Sequence, residues 1–202
     1  MYKIKRMAKI LTAKNSSKKE VILKHAATLF KANSYSATSM RELAELVGVE
    51  APSLYNHIGG KSELLQTICF KIGQTFIVQV NQIVLSNKTS IQKIEAIIRF
   101  HIKMMIENFD EVYVANHEWK HLKEPYLTDF LEIRRQYEKT LMEVIEAGIN
   151  KNEIKNTNAY VATLTILSAV RGLEFWHRNK KTISKQLLED DMVAHLLNGI
   201  VK

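Results

Sequence analysis

The pentapeptide His117-Glu118-Trp119-Lys120-His121 has the residue types and spacing of the H-E-x-x-H zinc motif. On a continuous helix, the two histidines of this motif bind Zn²⁺ and the glutamate is the general base of a hydrolase. Such a site also needs a third protein ligand, for which Glu138, 17 residues after His121, is the candidate. Zinc-dependent hydrolysis is therefore the first function that these residues suggest.

The surroundings of the motif weaken this zinc hypothesis. His121 is followed by LKEPYL, so the extended motif with a glycine and a third histidine is absent. The chain also lacks an alternating apolar pattern for the β-strand that lies beside a protease zinc helix. We expect no enzyme activity, no catalytic residue, no metal and no cofactor, with Trp119 packed inward and His117 and His121 at a pocket rim or an interface. A metal bound by these two histidines is the alternative.

The composition is typical of long helices joined by short loops. The chain has 202 residues, of which 46% are hydrophobic, seven are glycine and two are proline. The one cysteine, Cys69, excludes an intrachain disulfide and a Cys-rich zinc ribbon. The chain has no run of 18 apolar residues, so we expect no membrane span, and the basic N-terminus lacks the features of a signal peptide. We therefore expect an all-α, cytoplasmic protein without a membrane partner.

The basic charge is concentrated in the first third of the chain. The formal net charge is +8, and residues 1–74 contain 12 Lys and Arg against 5 Asp and Glu, whereas residues 75–202 contain 17 against 16. A local basic excess favours a polyanionic partner such as nucleic acid, although a solvated basic face would have the same composition.

The same third of the chain carries the pattern of two consecutive helices. Apolar residues at helical spacing predict a first helix over residues 17–33, with Ser17 as the N-cap of a capping box. After a short loop, Thr38 or Ser39 can cap a second helix, and Glu42 is placed to complete a capping box with Ser39.

A turn and a third helix follow the second helix. Gly48 predicts a left-handed end to the second helix, and Val49 is expected to fill the core between the helices. Pro52 lies in the first turn of a short helix over about residues 51–57, where its missing N–H costs little. These features predict a helix-turn-helix whose third helix faces a DNA major groove.

Two segments, AATLFKANSYSATSMRELAELVGV and SLYNHIGGKSELL, resemble the DNA-binding domain of TetR-family transcriptional regulators. The resemblance covers residues from about 17 to 76. It implies an all-α fold of about nine helices, with a three-helix DNA-binding domain and a larger domain that binds an effector and forms a homodimer. The expected boundaries are a basic flexible arm at 1–16, a helix-turn-helix domain at 17–61, and an effector-binding and dimerisation domain at 62–202.

The resemblance also implies which residues contact DNA. The start of the second helix and Lys61 would contact phosphates, and the third helix would lie on or near the groove. The implied DNA-binding residues are Thr38, Ser39, Arg41, Pro52, Ser53, Tyr55, Asn56, His57 and Lys61. The chain departs from the family pattern at Ser34, where a glycine is usual, at Glu50, where a serine or threonine is frequent, and at Ile58, where an aromatic is usual.

The remaining two thirds fit the second domain that the resemblance implies. Residues 91–109 and 126–148 carry helical apolar stripes, the second ending at Gly148, and residues 158–176 are apolar nearly all round. Two apolar C-terminal helices can pair with their symmetry mates as a four-helix bundle. The candidate residues of a mainly apolar effector pocket are His101, Met104, Met105, Phe109, Tyr113, His117, Trp119, Arg134, Tyr137, Thr165, Ser168, Arg171 and Trp176.

The order EWKHL, then RRQYEKTLMEVIEAG, then Trp176 resembles TetR-type regulators of lipid and acyl-CoA degradation. This implies a repressor released from a palindromic DNA operator by a small hydrophobic effector, for which an acyl-CoA is a candidate. Its phosphates would need basic residues, and the candidates are Arg134, Arg135, Arg171, Arg178, Lys180 and Lys181. A metal-binding helical protein or hydrolase that uses HEWKH, and a helical interaction module without DNA affinity, are the alternatives.

Overall fold

The structure, a computed structural model, describes residues 2–178 and 183–201, with side chains for residues 18–177 and 183–201. These residues form α-helices, one 3-10 turn and an isolated antiparallel bridge between Ile154 and Val201, so the predicted all-α fold class is confirmed. The helices are α1 (Tyr2–Ala37), α2 (Met40–Val47), α3 (Ala51–Leu54), α4 (Lys61–Leu85), α5 (Ser90–Glu107), α6 (Phe109–His117), α7 (Tyr126–Asn150), α8 (Ala159–Arg171), α9 (Leu173–Arg178) and α10 (Lys185–Asn198), and the 3-10 turn is Trp119–His121.

The chain forms two compact units that do not follow its linear order. The first unit comprises Met1–Ile72 and Asp110–Phe130, and the second comprises Gly73–Phe109 and Leu131–Lys202. Helix α6 and the 3-10 turn therefore belong to the same unit as the N-terminal helices. The predicted functional boundaries at residues 16 and 61 stay predictions.

The core of the first unit is formed by α1, α2 and α3. Ile22, Ala26 and Phe30 of α1 are at most 2% exposed, as are Leu43 of α2 and Leu54 of α3. The buried residues of α1 recur at helical spacing, so this helix presents one apolar face to the other helices of the unit.

Helix α2 begins and ends as its sequence predicts. The Ser39 hydroxyl accepts a hydrogen bond from the backbone N–H of Glu42, and the Glu42 carboxylate accepts one from the backbone N–H of Ser39. Gly48 ends the helix at φ 74°, a left-handed conformation that side chains disfavour. These caps fix the length of a helix that is too short to be stable alone.

Three details of the predicted N-terminal helices are wrong. Helix α1 extends back to Tyr2, so Ser17 lies inside it and is not its N-cap. Val49 is 38% exposed and does not fill the core. Helix α3 ends at Leu54, before the predicted residue 57. The backbone of the predicted arm is helical from residue 2 onward, and the contact of that arm with DNA stays a prediction.

Helix α6 is held to α1 within the first unit by the side chain of Asp110. Its carboxylate accepts a hydrogen bond from the Thr28 hydroxyl at 2.7 Å and pairs with the Lys31 ammonium. Asp110 also lies in the first turn of α6, where a negative charge is favourable.

Helix α4 corrects the expectation that no segment is apolar enough to span a membrane. By length and composition alone α4 passes that test, with a mean hydropathy of 1.3 over its most apolar window. Part of its apolar surface is buried, at Leu64, Ile68 and Cys69 in the first unit and at Val80 and Ile83 in the second, whereas Val78 and Leu85 are exposed.

The second unit has a core rich in isoleucine on α5. Ile94, Ile97, Ile98 and Ile102 are fully buried, and α5 contacts α8, α9 and α10. At the start of α5, the Glu153 carboxylate accepts a hydrogen bond from the backbone N–H of Ser90 at 2.6 Å. A carboxylate at a helix N-terminus satisfies a donor that has no partner inside the helix.

Gly148 does not end α7, because the helix continues to Asn150. The glycine is instead required by close packing within the second unit. A Cβ atom at this position would lie 2.5 Å from Ile154 Cδ1, 2.9 Å from Ile154 Cγ1 and 2.9 Å from Ser90 Cβ.

We predict that Gly148→Ala destabilises the protein although alanine favours helices. The added methyl overpacks a buried contact, so the free energy of unfolding should fall by about 1–3 kcal/mol in urea denaturation. Gly199→Ala is the matched control, since its Cβ would meet nothing closer than 3.6 Å and no left-handed φ is recorded there. Equal stability of the two variants would contradict this packing account.

Candidate nucleic-acid interface and small-molecule site

The start of α2 presents polar side chains to solvent on the first unit. Ser39 and Arg41 are exposed, and the Arg41 side chain is 86% exposed with its Nε 3.2 Å from a Glu45 carboxylate oxygen. This exposed i,i+4 ion pair is weak in water, so Arg41 can exchange the Glu45 carboxylate for another anion such as a phosphate. Arg41 is therefore the most accessible cation among the predicted contact residues whose surroundings are described.

The residues of α3 and the following turn form a second exposed surface. Pro52, Tyr55 and Asn56 are exposed, and Tyr55 retains 55% of its accessible surface. Beneath them Leu54 and Ile58 are buried at 0% and 3%, so the apolar side anchors the helix and the polar side faces outward. Ser53 and His57 are half-buried at the edge of this surface.

Thr38 and Lys61 differ from the other predicted DNA-binding residues because their side chains donate hydrogen bonds to backbone carbonyl oxygens. Thr38 is 3% exposed, and its hydroxyl donates to the backbone carbonyl oxygen of Ser34 at 2.9 Å. The Lys61 ammonium donates to the carbonyl oxygens of Ser36 at 3.2 Å and Thr38 at 2.7 Å. The chain kinks at the non-helical Ser34 inside the α1 range, and we call residues 34–39, which lead from this kink into α2, the turn between α1 and α2. Thr38 and Lys61 both stabilise this turn, and their contact with phosphate stays a prediction.

The turn between α1 and α2 contains a backbone conformation that serine rarely adopts. Ser34 has φ 69° and ψ 157°, a region that is almost restricted to glycine. This is the position at which the chain departs from the glycine of the family pattern. The chain adopts the glycine conformation without the glycine, so neighbouring contacts must hold it.

The HEWKH residues do not form one zinc-binding helix. Helix α6 ends at His117, Glu118 follows it, and Trp119–His121 forms the 3-10 turn. Glu118 is 7% exposed and its carboxylate accepts a hydrogen bond from the backbone N–H of Tyr35 at 3.1 Å. No cluster of three His, Cys, Asp or Glu side chains suited to a metal occurs among the described residues.

The two histidines of the motif contact aromatic rings of the first unit. The His121 ring stacks on Tyr35, with centroids 5.2 Å apart and an interplanar angle of 26°, and its Nε2 lies 3.5 Å from a Glu118 carboxylate oxygen. His117 is exposed beside the Tyr113 ring, with centroids 4.3 Å apart. Trp119 is half-buried, so the expected inward packing is partial.

The predicted effector residues are divided between the two units. Tyr113, His117 and Trp119 belong to the first unit, and the other ten belong to the second. Within the second unit, the His101 Nε2 and the Tyr137 hydroxyl are 2.7 Å apart and share a hydrogen bond. The Phe76 ring lies against both, with centroids 4.8 Å from His101 and 5.7 Å from Tyr137.

The aromatic surroundings fix the protonation state of His101. Burial lowers the pKa of His101 to about 3, and the positive charge of Arg171 contributes to this lowering. Burial also raises the pKa of Tyr137 well above its usual range. The pair is therefore neutral at physiological pH, and the sequence could not reveal this because the two residues are 36 positions apart.

A second group of predicted residues gathers around His177 in the same unit. The His177 ring stacks on Phe109 with centroids 3.6 Å apart, and its Nε2 lies 2.6 Å from the Met105 carbonyl oxygen. The Trp176 ring lies edge-on to His177, and its buried Nε1–H has no hydrogen-bond partner among the described residues. A buried unpaired donor is costly, so an acceptor supplied by a ligand would be favourable here.

Three polar members of the predicted pocket face away from the core of the second unit. Thr165, Ser168 and Arg171 are exposed on α8, with an Arg171 guanidinium nitrogen 3.8 Å from a Glu138 carboxylate oxygen. Arg134 is half-buried and Met104 is buried. Of the basic residues considered for an acyl-CoA, the side chains of Arg178, Lys180 and Lys181 lie outside those described.

The outer face of α8 and α10 is apolar although it is exposed in the single chain. Tyr160, Val161 and Leu164 of α8 are 44–59% exposed, and Leu187 of α10 is 48% exposed. Leu187 also lines an open groove of about 220 Å³, together with Ala169, Ile183, Leu188, Asp191, Met192, His195 and Leu196. Large apolar side chains exposed in this way are typical of an interaction surface.

Sequence reasoning missed the structural roles of Tyr35, Glu118 and His177. Tyr35 lies in the family segment, but its contact with a residue more than 80 positions away has no local signal. The zinc motif around Glu118 suggested a general base and gave no indication that its carboxylate binds the backbone N–H of Tyr35. His177 directly follows the predicted pocket residue Trp176, but nothing in the sequence indicates that the His177 ring stacks on Phe109.

Two family matches cover most of the chain. Residues 22–68 match the family described as bacterial regulatory proteins, tetR family, and residues 87–200 match the tetracyclin repressor-like C-terminal domain. The chain is 25% identical over 195 residues to the HTH-type transcriptional repressor KstR2 of Rhodococcus jostii (strain RHA1), with 94% of each chain covered.

Solved structures with the same fold include two described regulators. The ketosteroid transcriptional regulator KstR2 of Mycobacterium tuberculosis has a TM-score of 0.85 at 19% identity, over 91% of this chain and 95% of that one. AibR, solved in complex with isovaleryl coenzyme A and operator DNA, has a TM-score of 0.79 at 24% identity, over 89% of this chain and 98% of that one. At these identities the likeness shows the fold.

The lowered pKa of His101 predicts a stability that falls in mild acid. The unfolded chain protonates this ring near pH 6.5 and the folded protein only near pH 3, so stability is complete above the higher value and falls between the two. At pH 5 we expect the free energy of unfolding to be about 2 kcal/mol below its value at pH 7.5. Urea denaturation at both pH values measures it. His101→Gln should remove this component, and an unchanged pH dependence in that variant would contradict the assignment.

Proposed function

The chain belongs to the TetR family of bacterial transcriptional regulators, and from this premise we propose that it is a homodimeric repressor released from a palindromic operator by a small hydrophobic effector. The observation that carries the DNA-binding part is the exposed polar face of α2 and α3 over a buried apolar anchor. As a regulator of bacterial genes it would act in the cytoplasm, where its operator lies.

The DNA contacts that we propose divide by their position on the first unit. Ser39 and Arg41 would contact phosphates from the start of α2, where backbone N–H groups and the helix dipole also favour an anion. Pro52, Tyr55 and Asn56 would meet the major groove. Contacts to phosphate would position the protein, and only the groove residues would read bases.

The exposed apolar face of α8 and α10 supports the homodimer. Covering Tyr160, Val161, Leu164 and Leu187 with the same surface of a second chain would remove that apolar area from water. A twofold dimer places two copies of α3 on one duplex, which is why a palindromic operator is expected.

An acyl-CoA is the effector class that we propose. AibR, a structural neighbour, is described in complex with isovaleryl coenzyme A. In this chain, the second unit offers buried apolar side chains together with the unpaired Trp176 Nε1–H, which could donate to a thioester carbonyl. Arg171 is an exposed cation of α8 that a CoA phosphate could approach.

The metal-dependent alternative receives no support from the HEWKH residues. A zinc hydrolase requires both histidines on one helix face and the glutamate free to act on water. Here the helix ends at His117, and the Glu118 carboxylate is occupied by the backbone N–H of Tyr35.

We predict that selection from a pool of random DNA duplexes will return an inverted repeat bound with a steep salt dependence. Removing one protein–phosphate interaction should flatten the plot of log affinity against log salt by about one unit. Arg41→Ala should therefore weaken binding and reduce that slope in fluorescence anisotropy titrations.

Arg135→Ala is the charge-matched control for this experiment. The Arg135 side chain is 64% exposed in the second unit, so its loss changes the net charge equally but removes no proposed interaction with a DNA phosphate. If both variants weaken binding alike, the proposed role of Arg41 is wrong. If no inverted repeat is selected, the dimeric repressor is wrong.

We further predict that an acyl-CoA thioester, but not free CoA, releases the protein from the selected duplex. A series from short branched to long straight acyl chains can be titrated against the complex. Trp176→Phe keeps an aromatic ring and removes the donor, so the releasing concentration should rise about three- to tenfold. Tyr126→Phe is the control, because Tyr126 is an exposed tyrosine of the first unit that has no role in the proposed pocket, dimer face or DNA contacts. Release by free CoA alone, or by no thioester, would contradict the proposed effector class.

A further inference from the structure

We propose that Glu118 is a positioning residue for DNA binding, because its carboxylate holds the turn between α1 and α2 in the conformation that presents α2 to the duplex. The inference rests on the DNA-binding role proposed above. It gives the glutamate of the HEWKH motif a task that requires neither metal nor hydrolysis, and it names a DNA-binding determinant 83 residues away from the turn it controls.

The first step is the backbone of Ser34. At φ 69° and ψ 157° the backbone is strained for any residue with a side chain, whereas glycine adopts this conformation readily. The chain has serine there, so the turn would relax toward another conformation unless its neighbours held it. Thr38 supplies one restraint from within the turn, since its backbone N–H and hydroxyl both donate to the Ser34 carbonyl oxygen.

The second step is the restraint from outside the turn. The backbone N–H of Tyr35, the residue directly after Ser34, donates to the Glu118 carboxylate at 3.1 Å. A buried carboxylate must be hydrogen-bonded, and a bond to a charged acceptor is stronger than one between neutral groups. Because Glu118 is only 7% exposed, water cannot easily replace either partner.

The Tyr35 side chain extends this restraint to both sides. Its ring stacks on His121 of the 3-10 turn, and meets the edge of Phe30 with centroids 5.2 Å apart. The Lys61 ammonium lies 4.6 Å from the centroid of the same ring. A cation over an aromatic ring is favourable, so the position of Tyr35 also fixes that of Lys61.

The third step links the turn to DNA. Ser39 caps α2 only four residues after Tyr35, and Arg41 lies two residues beyond it. Lys61 donates to two carbonyl oxygens of the same turn. A change of conformation at Ser34 would therefore displace the proposed phosphate-binding groups together. A shift of about 1 Å is enough to weaken interactions that depend on orientation.

The experiment compares the DNA affinity of Glu118→Ala, Glu118→Gln and the wild type on the selected duplex, with folding checked by circular dichroism. We expect about a tenfold loss for alanine and a smaller loss for glutamine, whose amide oxygen can still accept the Tyr35 N–H. The direction is informative, because removal of a negative charge alone would strengthen binding to DNA. Glu111→Gln in α6 is the charge-matched control and should bind as tightly as the wild type or more tightly.

The effect of Glu118→Ala on DNA affinity in a Ser34→Gly background distinguishes a positioning role of Glu118 from a general loss of stability. Glycine needs no restraint in this conformation, so Glu118→Ala should cost less than about threefold in affinity in the Ser34→Gly background. The dependence of affinity on salt should flatten in Glu118→Ala and steepen again in the double variant, because glycine restores the position of the phosphate-binding groups.

Three outcomes would overturn the inference. They are unchanged DNA affinity in both folded Glu118 variants, the same loss of affinity with and without Ser34→Gly, and a lower melting temperature with an unchanged salt dependence. If Glu118→Ala does not fold, Glu118→Gln alone and in the Ser34→Gly background decides the matter by the same criteria. If the wild type selects no duplex, the proposed function fails, and that result is distinct from wild-type binding without a Glu118 effect.

Discussion

The hydrogen bond from the Tyr35 backbone N–H to the Glu118 carboxylate is the interaction on which the arrangement of the first unit depends. It stabilises a serine in a glycine conformation at the turn that leads into α2. Two further contacts stabilise the same turn. The Thr38 hydroxyl donates to the Ser34 carbonyl oxygen, and the Lys61 ammonium lies over the Tyr35 ring. A motif that resembles a zinc site therefore has a structural use that its spacing does not indicate.

This interaction is one of several that join residues 110–130 to the N-terminal helices of the first unit. The short helices α2 and α3 bury little apolar surface, so an additional element contributes to the stability of the helix-turn-helix. Helix α6 and the 3-10 turn supply that element through Asp110, Glu118 and His121. The chain crosses between the two units within α4 and at both ends of residues 110–130, so a change in the second unit has covalent routes to the proposed DNA-binding surface.

The sequence predicted the parts of this protein that are encoded locally. Caps such as Ser39 with Glu42 and the left-handed Gly48 depend on neighbours within a few positions, and they were confirmed. Long-range pairings were not predictable, because nothing in the local pattern joins Tyr35 to Glu118 or His101 to Tyr137. Gly148 illustrates the same limit, since a helix-ending glycine and a close-packing glycine are alike in sequence.

The exposed polar face of α2 and α3, the apolar outer face of α8 and the membership of the TetR family together support one account, in which two chains share one DNA duplex. Native mass spectrometry of the purified protein with a duplex that it selects measures this most directly. The account predicts a complex of two chains with one duplex that dissociates when the effector is added. A complex of one chain with one duplex, or the absence of any complex at low salt, would contradict it.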